Sequence, residues 1–494
     1  MQLKQLVQQL DTLKVEGSLD GEVSGIAYDS RRVTPGMLFV AIPGQRTDGH
    51  EYIQTALERG AAAVVCERNG TVPQSATRIK VKDVREALAR LATGFYQNPS
   101  SKLRVIGVTG TNGKTTVSFM IKAMLEQAGI KTGLMGTVHY EIGERMIPAQ
   151  RTTPESLEVQ QMMAQMLRAG CSACVMEVSS HALEQKRVLG VEFDVAIFTN
   201  LTHDHLDYHG NMENYFSAKS KLFAAISQGK KKAAAVINID DTFGARLAGQ
   251  TKLEVLLTYA LDQQAKLRAT QIQLGASGSR FTVEAPGQKF SCRIPLIGRH
   301  NIYNSLAAIG AGIALELKTT AIQKALSTMP PVPGRLQRVE MGQPFGVYVD
   351  YAHTDDALRN VLRTVKEITT GRILLTFGCG GNRDSAKRAK MGKIAAEMAD
   401  FTIITSDNPR KESAERIAAQ IEEGYRSARQ EGYVIELDRQ RAIAQILGKA
   451  ERGDTVLIAG KGHETYQEFE NTVVPFDDRV HAAEALEQLG FAGS

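Results

Sequence analysis

Short apolar runs closed by polar or glycine-rich turns recur along the chain, and amphipathic stretches fill the intervals between them. Leu103 to Val108, the run ending at Met176, Val195 to Phe198, Arg372 to Phe377, Phe401 to Thr405 and Val456 to Ala459 have the length and content of strands. Between them, stretches such as VSFMIKAMLEQAG after Thr116 place apolar residues at helical spacing. Strand and helix in regular alternation predict α/β layers with mainly parallel sheets. From Leu253 to Leu296 the pattern shortens into alternating segments with glycine-rich turns, which predicts a small antiparallel excursion. The first residues, MQLKQLVQQLDTLK, carry helical spacing and lack the uninterrupted apolar stretch of a secretory signal.

Two breaks divide the pattern. Near Tyr96-Gln97-Asn98-Pro99-Ser100-Ser101 a helical stretch ends in turn formers, and around Met329 to Arg335 three prolines stop the next. They predict three units, 1–99, 100–332 and 333–494, in keeping with roughly 100 to 200 residues per domain.

Composition excludes more than it selects. With 43% apolar and 23% charged residues the chain is neither disordered nor fibrous. Its apolar runs fall far short of the ~18 to 20 residues that cross a bilayer, so a cytoplasmic protein is expected. A net charge of +5 is spread thinly and does not imply a nucleic-acid partner; Lys230, Lys231 and Lys232 are expected at a solvated helix end. The five cysteines are odd in number and scattered, and Cys171 and Cys174 read as packing residues at the start of a buried strand rather than as a metal or redox pair.

The strongest chemical signal is Gly110-Thr111-Asn112-Gly113-Lys114-Thr115-Thr116 between a strand and a helix. Backbone N–H groups and a helix N-terminus then converge on one point, as a polyphosphate requires, with Lys114 toward the β- and γ-phosphates and Thr115 toward Mg²⁺. The usual first glycine is displaced by one position, since Val108 stands there and Gly107 precedes it. A turn of purely structural use is the alternative, but it does not require Lys-Thr-Thr. Two polar clusters follow at strand exits, Glu177 to His181 and Thr199 to Asp207. Glu177 and His205 are candidate ligands of a second Mg²⁺, against a hydrogen-bonded loop histidine as the alternative. Tyr215, Lys219 and Phe223 share a helical face, which draws Lys219 toward partly buried surroundings. Burial would leave neutral amine able to take up CO₂ as a carbamate, a further oxygen ligand near the metals; a snorkelling surface lysine is the alternative. In the last unit three loops follow strands, at Gly378 to Asp384, Ser406 to Arg410 and Gly460 to Glu464. Arg383 and Arg410 suit carboxylates, and Asp407 and Glu464 suit an ammonium, so the loops together fit a zwitterion.

With GTNGKTT (110–116), TTP (152–154), EVSSH (177–181), NLTHDHLDYHG (200–210), AK (218–219), VINIDD (236–241), GRHNIYN (298–304), PGR (333–335), DYAH (350–353), GCGGNRD (378–384), DNPR (407–410) and GKGHE (460–464) in this order, the chain resembles the Mur ligase family over nearly its whole length. It is most similar to the members that add meso-diaminopimelate. The resemblance implies a uridine-nucleotide domain, a central P-loop ATPase of mainly parallel sheet with a small antiparallel part, and a Rossmann-like amino-acid domain, closing on each other during catalysis. It implies ATP and UDP-N-acetylmuramoyl-L-alanyl-D-glutamate as substrates, Mg²⁺ as cofactor and a monomer. Ser30 and the loop Gln45, Arg46 and Thr47 would meet the UDP moiety, and Thr152, Thr153, Ser179, Gln185 and Arg187 the rest of that substrate. Asn301 and Asn304 would approach adenine, with Arg335 and Asp350 near ATP. Lys219 would be the carboxylated lysine, so that Thr115, Glu177, His205 and Lys219 form the metal set and Lys114 the phosphate contact. Arg383, Asp407, Asn408, Pro409, Arg410, Gly460 and Glu464 would bind the incoming amino acid, and Arg410 points to diaminopimelate over L-lysine. Asp355, Asn382 and Lys411 depart from the family's usual residues.

The chemistry implied is activation of the D-glutamate γ-carboxylate as an acyl phosphate and attack on it by an amine, with His209 an unassigned candidate base. The rival readings are an L-lysine-adding ligase, a folylpolyglutamate-type ligase, against which the first unit with Ser30 argues, and a P-loop ATPase that senses cell-wall nucleotides without ligation.

Overall fold

Three parallel-dominated sheets follow one another along the chain in the computed structural model, which describes residues 1–44, 47–68, 76–275 and 278–492. The first sheet has five strands in the order Thr12–Glu16, Thr77–Val81, Ala63–Cys66, Met37–Val40, Gly25–Ala27, and its first strand is antiparallel to the second. That edge departs from the sequence expectation. Helix occupies only Leu3–Val7, and Thr12–Glu16 is strand, because Val15 and Glu16 pair with Ile79 and Arg78 along an open sheet edge.

The middle sheet has eleven strands. At its centre Arg104–Thr109 lies parallel between Ala173–Glu177 and Val195–Phe198, in a register that sets Glu177 beside Val108 and Phe198 beside Thr109. All three are buried from end to end save Arg104, as strands covered by helices on both faces must be. Helices Lys114–Gln127 and Arg299–Ala314 cover one face and Ser156–Arg168 and Met212–Ser227 the other. The antiparallel excursion is present, and it continues the same sheet through Leu267–Gly275, Gly278–Ala285 and Gln288–Ile294. A second antiparallel edge, His139–Ile142 with Arg145–Pro148, was not legible in the pattern. Cys174 is buried within Ala173–Glu177 and Cys171 just before it, as expected of packing residues. Lys231 corrects the expectation of a solvated triplet: its Nζ donates to the carbonyls of Ser100 (2.8 Å) and Leu103 (2.6 Å) and pairs with Asp194 (2.7 Å).

The third sheet runs Gln337–Arg338, Gly346–Asp350, Thr455–Ala459, Ile373–Phe377, Phe401–Ile404, Tyr433–Ile435, parallel apart from its first edge. A separate hairpin, Tyr466–Phe469 with Thr472–Pro475, lies against the loop at Arg410. Side-chain contacts tie the first unit to the second: Tyr28 Oη donates to Glu158 at 2.9 Å, and Lys186 pairs with Asp83 (2.8 Å) and Glu86 (2.7 Å).

Candidate active site

The middle and last sheets present their carboxyl edges to one cavity of about 1200 Å³. Its middle-unit wall begins with the chain leaving Arg104–Thr109. Gly110 and Gly113 take φ of +147° and +87°, and a side chain at either would collide with Thr199 or Asn304 respectively. Glycine here serves both the turn and the close approach. Lys114 then opens the helix and folds back, its Nζ donating to the carbonyls of Gly110 (3.0 Å) and Thr111 (2.8 Å). Burial lowers its pKa, against the opposing charges of Glu177 and Asp204. Lys219 reaches the same Gly110 carbonyl at 2.8 Å from the other side, over the ring of Tyr215. Only 1% exposed, it is held well below the usual ammonium range by burial and then by the charge of Lys114.

Glu177 is buried where its strand ends. It accepts from Thr115 Oγ1 (3.0 Å), from Thr137 N (2.8 Å) and from Thr137 Oγ1 (3.0 Å). The last unit reaches across: Arg335 Nη2 donates to Thr115 Oγ1 at 3.1 Å, and Asp356 accepts from Asn112 Nδ2 (3.1 Å) and Thr202 Oγ1 (3.0 Å). Asp350 receives the amides of Leu336 (2.7 Å) and Ala352 (2.8 Å), and burial raises its pKa. Asn304 Nδ2 donates to Asn301 Oδ1 at 3.0 Å, beside the glycine turn.

His205 takes φ +53° ahead of a short helix, its side chain about half exposed, and its ring meets that of His181 at 4.9 Å. Burial, then the neighbouring His205 and His209, push His181 down to about 4. His209 is engaged elsewhere, with Nε2 2.9 Å from Ser180 Oγ and its ring stacked on Tyr215. It is absent from the cavity wall, which counts against a role as base.

Thr152 lines the cavity, and the chain leads from it into a linked group. Thr153 accepts the Ser179 amide (3.0 Å), Arg187 Nη1 donates to Thr153 O (3.0 Å), and Arg187 Nη2 donates to Gln185 Oε1 (2.7 Å). Ser30 is buried at the head of a single turn in the first unit, and Thr47 accepts the Gly44 amide there; neither lines this cavity. Gln45 and Arg46 lie outside the described residues.

On the far wall stand Arg383, Asp407, Asn408, Arg410, Gly460 and Glu464, with Pro409 behind them in the same loop. Arg383 is exposed to the cavity. Arg410, at φ +54°, has Nε on Glu468 (2.8 Å) and Nη1 on the Gly381 carbonyl (2.9 Å), which fixes the guanidinium plane. Between Asp407 and Glu464, which the sequence offers to an ammonium, sits the ammonium of Lys461, so the two carboxylates already share one cation. Lys461 lies within the GKGHE motif with no role evident from the sequence, and no motif or spacing marks Asp356 or Thr137. The residues Asn382 and Lys411, which depart from the family pattern, meet: Asn382, at φ +53°, accepts the Lys411 amide at 3.0 Å. Positive φ is a conformation asparagine tolerates better than most residues.

For Mg²⁺ the donor chemistry fits. Thr115 and Glu177 place a hydroxyl and a buried carboxylate side by side, the oxygen donors this ion takes alongside substrate phosphates. Among the described residues no three His, Cys, Asp or Glu side chains gather closely enough to hold an ion alone.

Known proteins share this fold. Residues 22–96 match the model described as Mur ligase family, catalytic domain, 108–312 the Mur ligase middle domain, and 334–462 the Mur ligase, glutamate ligase domain. A UDP-N-acetylmuramoyl-L-alanyl-D-glutamate–2,6-diaminopimelate ligase of Geobacter metallireducens is 44% identical, over all of both chains. One from Listeria monocytogenes serotype 4b is 43% identical, again over all of both. The solved structure of a ligase bearing the same description superposes with a TM-score of 0.71 at 31% identity, covering 99% of each chain. MurF of Thermotoga maritima in complex with ADP, at 19% identity and TM-score 0.61 over 94% of this chain and 96% of its own, shares the fold.

Proposed function

The chain belongs to the Mur ligase family, and from that premise we propose that it joins diaminopimelate to the D-glutamate γ-carboxylate of UDP-N-acetylmuramoyl-L-alanyl-D-glutamate at the expense of ATP. The observation that carries the reading is the shared cavity: Lys114 and Thr115 line the same space as Arg383, Asp407, Arg410 and Glu464. A sensing ATPase has no need of a second wall, suited to a zwitterion, facing its phosphate cradle.

The residues suggest the order of events. A carboxylate is a poor electrophile, so the γ-phosphoryl group of ATP passes to the glutamate oxygen, with Lys114 and the N–H groups of 110–116 facing the charge that shifts. Mg²⁺, held by Thr115 and Glu177 when bound, would neutralise charge along the phosphates. Arg335 and Asp356, already bonded across the seam to Thr115 and Asn112, keep the last unit aligned over the cradle. Asp407 and Glu464, with Arg383, hold one amino-acid centre of diaminopimelate, and the free amine of its other centre attacks the acyl carbon. The tetrahedral intermediate then expels phosphate, the amine proton leaves, and the amide remains. Alignment of two bound reactants can supply ~7 to 11 kcal/mol of the barrier, which is what two walls of one cavity are suited to do.

In this reading residues 1–99 hold the uridine end through Ser30 and the 45–47 loop, with Thr153, Ser179, Gln185 and Arg187 next along the substrate. Lys219, neutral and enclosed, serves as the carbamate, with His205 beside the metals. Arg410 selects diaminopimelate over L-lysine. No helix among the described residues is long and apolar enough to cross a membrane, and the reading carries with it a cytoplasmic monomer, which sedimentation in buffer with and without ATP checks. The decisive assay offers the UDP-dipeptide and ATP with diaminopimelate and lysine in parallel. Amide product with diaminopimelate, and ADP release that requires both acceptor and amine, are expected; ADP release indifferent to the amine would overturn the ligase reading.

A further inference from the structure

Lys461 lies between Gly460 (φ +114°) and Gly462 (φ +55°), and its side chain turns inward until none of it meets solvent. A side chain at 462 would strike Tyr351, so the backbone approach that buries Lys461 depends on glycine there. Its Nζ stands 3.1 Å from Asn408 Oδ1, 3.1 Å from Glu464 Oε2 and 3.4 Å from Asp407 Oδ1, above the ring of Tyr466. Asn408 closes the group by donating Nδ2 to Glu464 Oε2 at 2.9 Å. Behind it, buried Arg439 pairs with Asp478 (2.7 Å) and donates to the carbonyls of Ala459 (2.9 Å) and Ser406 (3.3 Å). The two strand exits that carry Lys461 and Asp407 are thereby tied together.

A buried ammonium without partners would be costly, and so would a buried and a half-buried carboxylate side by side without a cation. We propose that Lys461 is a positioning residue that sets the charge of the amino-acid pocket: with Asp407 and Glu464 it leaves one net negative charge, matched to one ammonium of the incoming amino acid, and it fixes both carboxylates before that substrate arrives. The inference rests on the ligase reading and deepens it, since it says why a zwitterionic centre, with its carboxylate toward Arg383, suits this wall better than a bare cation.

Glu464 reports on the arrangement. Burial raises its pKa; Lys461 and Asn408 oppose that, and Asp407 adds to it. The other groups that face it are Tyr351 and Tyr466, whose hydroxyls are pushed up and stay neutral, and Arg439, whose charge Asp478 answers. Removing Lys461 therefore lets Glu464 take a proton at higher pH, and the acid limb of kcat/KM for diaminopimelate moves upward.

The test compares Lys461→Met and Lys461→Arg with the unaltered enzyme over a pH series, varying diaminopimelate and ATP separately. For Lys461→Met we expect a KM for diaminopimelate raised about 10-fold or more, a KM for ATP within about 2-fold, and an acid limb about one pH unit higher; Lys461→Arg keeps the limb where it was. An unmoved limb in Lys461→Met, or equal losses toward both substrates, overturns the proposal. Should that variant not fold, calorimetry on the unaltered enzyme with a non-hydrolysable ATP analogue decides. Diaminopimelate binding at pH 6.5, in buffers of different ionisation enthalpy, should displace no carboxyl proton, and release of about one proton per molecule bound refutes the assigned role. Failure of the unaltered enzyme to make amide from diaminopimelate would instead remove the ligase reading itself.

Discussion

The phosphate cradle and the amino-acid pocket open onto the same cavity but are built on opposite electrostatic plans. In the cradle, Lys114 and Lys219 rest on main-chain carbonyls, so the charge of Lys114 awaits an anion while burial favours the neutral amine of Lys219. In the pocket several charges are already paired within the chain, Lys461 with Asp407 and Glu464 and Arg410 with Glu468, while Arg383 faces the cavity. The cradle is thus suited to bind by charge, and the pocket to discriminate by geometry. A highly charged nucleotide needs the first arrangement; an amino acid with almost no net charge needs the second.

The difference is tested most severely in the cradle. Lys114→Ala should lower the rate of ADP formation by about 10² to 10³, the loss that follows removal of one donor aimed at developing charge. The KM for diaminopimelate should stay nearly constant; a parallel rise in it would dissolve the distinction between the two regions. Lys219→Met comes next, with amide formation down by about 10² if a carbamate aids the metal, comparable to loss of an outer partner at such sites. The unaltered protein equilibrated with ¹³C-bicarbonate should show a carbamate resonance that the variant lacks. Unchanged turnover together with no resonance would remove the carbamate.

The same contrast decides what the sequence could disclose. The cradle is contiguous: residues 110–116 set their own backbone, and the i, i+4 face of Tyr215, Lys219 and Phe223 foretold a partial burial of Lys219 that proved nearly complete. The strand exits carrying Glu177, Asp407 and Glu464 were readable because a parallel sheet puts such exits on one edge. The pocket's internal pairing was not, since Lys461 finds Asp407 and Asn408 across more than fifty residues of chain, and its inward turn depends on the φ of two glycines. Glu468 belongs to a hairpin that no periodicity announced, so Arg410 read as a free clamp when it is a braced one. Asp356 was hidden for a related reason: at a helix start it reads as first-turn acid, and only the packing of two units brings it to Asn112. At the amino terminus, Thr12–Glu16 continued a helical spacing and became strand through its partner alone.

Within the pocket, Arg410→Ala removes a charged hydrogen-bonding group worth about 1.5 to 3 kcal/mol, so the KM for diaminopimelate should rise about 10- to 100-fold while that for ATP holds. Equal losses in both would mean that Arg410 props the loop rather than meets the substrate. At the seam, Asp356→Asn keeps the shape and removes the charge that Asn112 and Thr202 contact. A change of about 2- to 10-fold in the KM for ATP is expected, with diaminopimelate unaffected. An effect on diaminopimelate alone would place Asp356 with the pocket and not with the cradle.

The smallest expected effect is on stability and comes from His463, which stands between the two regions. Its Nδ1 is enclosed without a hydrogen-bond partner among the described residues. Burial, and after it the charge of Arg335, push its pKa down to about 3; the Thr137 backbone pulls the other way, and Arg479 and His139 add to the depression. The folded state therefore holds the ring neutral at pH values where an unfolded chain, near 6.5, takes up a proton. The contribution is complete above about pH 6.5 and is lost progressively as pH falls toward 3. His463→Gln, which carries no such proton, should melt with a shallower dependence on pH between about 7 and 4.5, the two Tm curves converging by a few degrees at the acid end. The comparison belongs to the seam because the groups acting on the ring come from both sides, Thr137 and His139 from the middle unit and Arg335 and Arg479 from the last. Parallel Tm curves would show that the imidazole is already solvated, and that the two walls meet more loosely than their hydrogen bonds indicate.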